Sequence, residues 1–186
     1  MWDIPSLRHV YLGARFSPPW NRKQKGIQTL SLNIPDGTHI RSGLAKLLSQ
    51  MTRLGTFHLG MRPIPAEMIQ VLSKMSLVVE VYLNRFKVLN NLPDNRFFPQ
   101  SLRELVLIAD VIKEDPMPIL EKLPCLMVLR LEGYEGRTMS CSANGFQRLQ
   151  ELELKLFSIE EWRISIPSMP KLCYLTLRWC EHIHRL

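Results

Sequence analysis

A chain of 186 residues, 46% hydrophobic and 22% charged, is long enough to bury a core and too apolar to remain disordered. Its formal charge of +7 is uneven: residues 1–50 carry seven Lys/Arg against two Asp/Glu, and residues 113–161 carry nine acids against six bases. No basic run is interleaved with aromatics as a nucleic-acid site requires; the nearest, Trp20, Arg22, Lys23 and Lys25, reads as a solvated loop, and no nucleic-acid partner is expected.

Taken in chain order, one phrase recurs: apolar-x-x-apolar-x-apolar. It runs through Leu7, Val10 and Leu12, then Ile27, Leu30 and Leu32. A return with Leu44, Leu47, Leu48 and Met51 at helical spacing follows, over Arg41–Met51. The third phrase is Leu54, Phe57 and Leu59, and a second helical return spans Pro65–Met75, with Met68, Val71 and Leu72 on one face. Phrases four to six are Val78, Val81 and Leu83; Leu102, Leu105 and Leu107; and Leu126, Leu129 and Leu131. Between the last two, Asp115-Pro116 reads as the cap and first turn of a short helix reaching Leu123. The stretch Glu132–Gly145, with Gly133, Gly136, Ser140, Ser142 and Asn144, reads as a loop. Leu149, Leu152 and Leu154, then Leu172, Leu175 and Leu177, complete the series.

The phrases start 20, 27, 24, 24, 24, 23 and 23 residues apart. That period lies in the leucine-rich-repeat range of about 20–29 residues. The last two apolar residues of each phrase are two apart, the strand period, so both point inward while the residues between and beside them point out. One strand per turn, stacked side by side, makes a parallel sheet whose leucines are buried only against neighbouring turns. The expected fold is therefore α/β: a leucine-rich-repeat solenoid, a horseshoe with a concave parallel sheet and an irregular helix-and-loop convex side. It forms a single domain over residues 1–186 with about eight repeats. The 20-residue interval predicts a short or distorted turn between the first two. Neither end carries an evident polar capping repeat, which points to a segment of a longer protein or the product of a truncated gene.

Strand parity assigns three outward columns. The central one is Tyr11, Ser31, His58, Tyr82, Val106, Arg130, Glu153 and Thr176. The column before it is His9, Thr29, Thr56, Glu80, Glu104, Val128, Glu151 and Tyr174, and the column after it is Gly13, Asn33, Gly60, Asn84, Ile108, Glu132, Lys155 and Arg178. Tyr, Trp and Arg are the usual interface anchors, so Tyr11, His58, Tyr82, Arg130, Glu153, Lys155, Arg178 and Trp179 are candidate partner contacts. Val106 and Ile108, with Val128 beside them, are candidates for an apolar binding patch or for a place covered by a flanking loop. Arg130 and Glu153 lie on adjacent rungs, as do Glu132 and Lys155, close enough to pair with each other.

The start, Met1-Trp2-Asp3-Ile4-Pro5, has no basic and apolar leader. No apolar run approaches the ~18 residues of a membrane span, and no Asn-x-Ser/Thr sequon occurs. Cys125, Cys141, Cys173 and Cys180 show no framework spacing. An intracellular, reducing compartment is expected, cytoplasmic and open to the nucleus, with free thiols. The run Cys173, Cys180, His182, His184 matches no usual zinc spacing, and the histidines make no catalytic set with Ser, Cys or Asp. Carboxylate pairs such as Glu160-Glu161 and Glu114-Asp115 read as solvated loop or helix-start residues. No metal, no cofactor and no enzymatic activity are expected.

Several stretches resemble the repeat region of plant nucleotide-binding, leucine-rich-repeat disease-resistance proteins. They are IPSLRHVYL (Ile4–Leu12), FPQSLRELVL (Phe98–Leu107), LEKLPCLMVLRLEGY (Leu120–Tyr134), GFQRLQELEL (Gly145–Leu154) and MPKLCYLTLRWC (Met169–Cys180). The resemblance implies a protein-interaction module of an innate immune receptor. Such a module senses pathogen effectors or holds a nucleotide-binding switch autoinhibited. The implied partners are a pathogen effector, a guarded host protein or the receptor's own nucleotide-binding domain. Two departures stand out. The chain has no Gly-Lys pair, hence no phosphate-binding loop, so the nucleotide-binding domain is not within it. The turn position three after each last leucine, usually Asn or Cys, holds Arg15, Pro35, Arg62, Phe86, Asp110, Tyr134, Phe157 and Cys180, which predicts irregular turns. A free-standing intracellular adaptor, or an accessory domain of a ubiquitin ligase, is the alternative.

Overall fold

The computed structural model describes residues 4–13, 25–34, 41–61, 71–86 and 92–180. All eight phrases form strands of one parallel sheet. In chain order these are β1 (His9–Leu12), β2 (Thr29–Asn33), β3 (Thr56–Gly60), β4 (Glu80–Phe86), β5 (Glu104–Ile112), β6 (Val128–Tyr134), β8 (Glu151–Lys155) and β10 (Tyr174–Arg178). Sheet order follows chain order, as a solenoid requires. The first two strands pair in regular register, His9 with Thr29 and Leu12 with Leu32; the turn joining them lies outside the described residues.

The backbone accounts for the phrase. Its opening apolar residue closes a tight turn onto the carbonyl three residues earlier: Leu54 onto Met51, Val78 onto Met75, Leu102 onto Pro99, Leu149 onto Phe146 and Leu172 onto Met169. The next two N–H groups then share one carbonyl of the preceding rung, as Met127 and Val128 do with Arg103, and Gln150 and Glu151 with Met127. The inward pairs follow, and Leu30 and Leu32, Phe57 and Leu59, Leu105 and Leu107, Leu129 and Leu131, and Leu152 and Leu154 are all buried.

The convex side is irregular, as expected. Helix α1 (Arg41–Ser49) buries Leu44, Leu47 and Leu48. Residues 71–73 are helical, with Leu72 buried; Pro65 and Met68 of that expected helix lie outside the described residues. Helix α2 (Met117–Leu120) is one turn, shorter than the expected helix reaching Leu123. Its N-cap is Pro116 rather than Asp115, which lies one residue earlier and accepts the Met117 N–H on Oδ1 at 3.0 Å. The ring of Pro124 disfavours helical backbone at Leu123, and the chain leaves through a turn in which the Leu123 N–H meets the Leu120 carbonyl at 3.1 Å.

The reading of Glu132–Gly145 as a loop is corrected. Strand β6 continues to Tyr134, and Thr138–Cys141 forms β7. It pairs in parallel with β9 (Glu161–Ile164) in a second, two-stranded sheet, so Glu161 opens a strand rather than sitting in a loop. Met139 and Cys141 point in beside Trp162, which is buried. The free edge of β7 is held by carboxylates: Asp115 Oδ2 accepts the Ser140 N–H at 2.7 Å and hydroxyl at 3.0 Å, and Glu121 accepts the Ser142 N–H at 2.8 Å and hydroxyl at 2.5 Å. Cys173, expected on the sheet, lies one residue ahead of β10.

Candidate interaction face

Register places every outward column as parity predicts. Tyr11, Ser31, His58, Tyr82, Val106, Arg130, Glu153 and Thr176 sit side by side, with the two flanking columns in step. Steric necessity fixes this: moving a strand by one residue would turn its buried leucines to water.

The face carries a lattice of charges. Arg130 reaches back to Glu104 (Nη1–Oε1 2.6 Å), forward to Glu151 (Nη2–Oε2 3.3 Å) and along its own column to Glu153 (Nε–Oε2 3.5 Å). Arg178 takes the other oxygen of Glu153 at 3.2 Å, and Lys155 meets Glu132 at 2.8 Å. His58 Nε2 lies 2.9 Å from Glu80 Oε1, and its ring is 5.4 Å from that of Tyr82. Their side chains range from 19% exposed at Glu132 to 62% at Arg178, so water reaches every pair and each contributes only ~0–1 kcal/mol to folding.

Tyr82, Val106, Ile108, Arg130, Glu153, Lys155 and Arg178 line one shallow hollow of about 250 Å³. Val106 faces outward but is only 8% exposed, recessed between the longer side chains of Tyr82 and Arg130 on the adjoining rungs. The expected apolar patch is thus the floor of a hollow. Tyr11, 68% exposed, stands three rungs from Tyr82 and does not join it. Trp179 lies just past β10, 63% exposed, with Lys155 Nζ 5.2 Å from its ring centroid.

Sequence reasoning missed Glu80, Glu104 and Glu151. They sit diagonally from His58 and Arg130, and parity gives only the same-column neighbours. It also missed Leu156. That residue and Trp179 adopt φ of 56° and 52° where the preceding rung has Gly133 at 95°, and neither side chain signals a left-handed backbone.

Turn irregularity takes a definite form. In place of an asparagine ladder, Tyr134 and Phe157 are buried with rings 5.5 Å apart, the Tyr134 hydroxyl donating to the Thr138 carbonyl at 2.6 Å. Burial, with the Asp115 carboxylate nearby, pushes the Tyr134 phenol up to about 12. The pairing slips within the C-terminal ends of the strands themselves, between Asn84 and Phe86 of β4 and between Ile108 and Ile112 of β5. Burial likewise raises Cys141 to about 12. It also raises Cys180, whose sulfur lies 3.6 Å from the Leu154 carbonyl oxygen. His182 and His184 lie outside the described residues, and among those described no cluster of three His, Cys, Asp or Glu could hold a metal. No described helix is long and apolar enough to cross a membrane.

No family model matches the chain. Its relatives do. A probable disease resistance protein of Arabidopsis thaliana is 44% identical over 100 residues, 52% of this chain and 12% of the relative. The Arabidopsis probable disease resistance protein RF9 is 38% identical over 114 residues, 60% of this chain and 10% of its own. The Arabidopsis disease resistance protein RPP8 is 41% identical over 101 residues, 53% of this chain and 11% of its own. Over about half its length, this chain is homologous to plant disease resistance proteins. The matched stretch is about a tenth of each relative.

Proposed function

We propose that this chain is the partner-holding repeat segment of a plant innate immune receptor. In this reading it is a non-catalytic, intracellular module belonging with a nucleotide-binding domain. Its concave face senses a pathogen effector or a guarded host protein, or holds the receptor's own nucleotide-binding domain at rest. The observation that carries this is the face over β4–β10. There an ordered charge lattice surrounds a recessed apolar floor, on a chain homologous to disease resistance proteins. Charged and aromatic groups around an apolar centre are the usual anatomy of a protein-binding surface.

The test is a graft of this chain in place of the matching stretch of RPP8, expressed in leaves with and without the double substitution Arg130→Glu, Lys155→Glu. The unsubstituted graft should stay silent at rest. The substituted one should either trigger cell death without a pathogen or lose its response to one. Grafts that behave identically would overturn the reading.

A further inference from the structure

Beyond the columns of the sheet, the turns after β6, β8 and β10 form a lip. Leu156 and Trp179 stand on it, 48% and 63% exposed. Both have positive φ, a conformation that costs a non-glycine residue of order 1–3 kcal/mol and persists where the surroundings over-determine it. With Phe157 they wall a hollow of about 330 Å³ whose other sides include Asp110 and Glu135. Lys155 links it to the hollow over Val106 and Ile108: it lines that hollow, and its Nζ lies 5.2 Å from the Trp179 ring centroid.

The charge of the region runs against that of the chain. Among the described side chains, outward positions of β4, β5, β6, β8 and β10 hold five carboxylates, Glu80, Glu104, Glu132, Glu151 and Glu153, against the three cations Arg130, Lys155 and Arg178. The whole protein is +7. Two more carboxylates, Asp110 and Glu135, border the lip hollow. An acidic region on a basic protein, edged by an exposed indole, is complementary to a cationic segment: charge steers it in, and the indole face attracts an ammonium or guanidinium. Lys155 already uses the ring in that way.

The geometry points to a basic segment of a partner protein as the occupant of this face. One Lys or Arg side chain seats in the lip hollow against Trp179 beside Glu135, and a neighbouring apolar side chain seats on the floor of Val106 and Ile108. This rests on the proposed function and narrows it to a class of partner sequence. It excludes an acidic surface docked through the chain's general positive charge.

The probe is the acetylated, amidated peptide Leu-Gly-Arg-Gly-Arg, titrated into the whole chain while the Trp179 indole N–H and the Val106 and Ile108 methyl groups are followed by NMR. Saturable shifts at those groups are expected, weakening with salt. The same peptide with citrulline for arginine needs no variant and should bind about tenfold more weakly. Glu135→Gln should weaken the arginine peptide about threefold. Equal binding of the citrulline peptide, tighter binding of a glutamate version, or shifts confined to β1–β3 would overturn the inference. So would sedimentation showing that the lip is filled by a second copy of the chain. If the peptide fails while the receptor graft still responds to its double substitution, only the basic-segment inference falls. If both fail, the interaction face itself is wrong.

Discussion

The two halves of the sheet share one core and carry different faces. From β1 to β3 the outward residues are Thr, Ser, Asn, Gly, His and Tyr, joined by neutral contacts such as His9 Nδ1 to Thr29 Oγ1 at 3.0 Å. From β5 to β10 the same positions hold the Arg130 lattice and the Glu132–Lys155 pair. Behind both, the inward pairs from β2 through β8 are equally buried, Leu30 as fully as Leu129, and only the pair at the β1 end is partly open. A solenoid permits this because each turn packs on its neighbours and the outward side of a strand has no part in that packing. The core period is under one constraint and the face under another.

The sharpest way to break the comparison is to hollow out each half in turn. Phe57→Ala in β3 and Trp162→Ala in β9 each remove a fully buried ring and should each cost about 3–5 kcal/mol. In a nearly one-dimensional array the damage should stay local. Hydrogen exchange should rise first in β2–β4 for Phe57→Ala and first in β7–β9 for Trp162→Ala. Equal loss of protection along the whole chain in both variants would mean that the halves unfold as one unit.

A smaller effect is expected at the turns on the lip. An added Cβ at Gly133 would overlap the Ala109 carbonyl oxygen, and its φ of 95° suits no L side chain. Gly133→Ala should therefore cost about 1–3 kcal/mol, read as a shift in urea midpoint. Leu156→Gly, at the equivalent turn one rung on, relieves strain while losing half-exposed apolar contact, so it should change stability by less than about 1 kcal/mol. Equal costs would show that the lip conformation is not what separates these positions.

The charge lattice itself should matter less still to folding. Arg130→Met leaves Glu104, Glu151 and Glu153 facing one another, but the Arg130 side chain is 39% exposed and solvent screens the repulsion. A loss of about 1 kcal/mol at low salt, shrinking as salt is raised, is expected from thermal melts. Ser31→Ala, in the neutral half of the same column, should stay within about 0.5 kcal/mol at any salt. A salt-independent loss at Arg130 would mean that its packed methylenes, not its charge, hold the rungs.

How much of this was legible follows from the same separation. The eight strands, their order and all three outward columns could be read because a buried leucine two residues from another leaves one register. Arg130–Glu153 and Glu132–Lys155 followed from adjacency. The diagonal partners Glu104 and Glu151 did not, because long side chains choose among several rungs. The second sheet was hidden for another reason. Thr138–Cys141 alternates exposed and buried, as a strand should, but it is four residues long amid glycine, serine and asparagine. Its outer edge is satisfied by Asp115, ahead of α2, and Glu121, just after it, which no local pattern records.

That edge gives the smallest and most specific test. Burial is the main cause holding the Asp115 carboxyl above its ordinary 3.8, against the lowering effect of the Met117 and Ser140 donors. The folded chain therefore keeps this proton at a pH where the unfolded chain has lost it. The stability so contributed is complete below 3.8 and is lost as pH rises through the raised folded value. Asp115→Asn, nearly the same in shape, removes the titration. It keeps an acceptor for one donor while taking one from the other. The urea midpoint of the wild type should fall more steeply than that of Asp115→Asn as pH rises from about 3.8 upward, and the two curves should run parallel near neutrality. There the Cys141 thiol, raised to about 12 by burial, reports whether β7 stays seated. It should resist a thiol reagent at pH 8 in the wild type and react faster in Asp115→Asn, while exposed Cys173 reacts equally in both. Parallel curves at every pH would deny that burial of this carboxyl sets its proton. An unchanged Cys141 would show that Glu121, gripping Ser142, holds the strand alone.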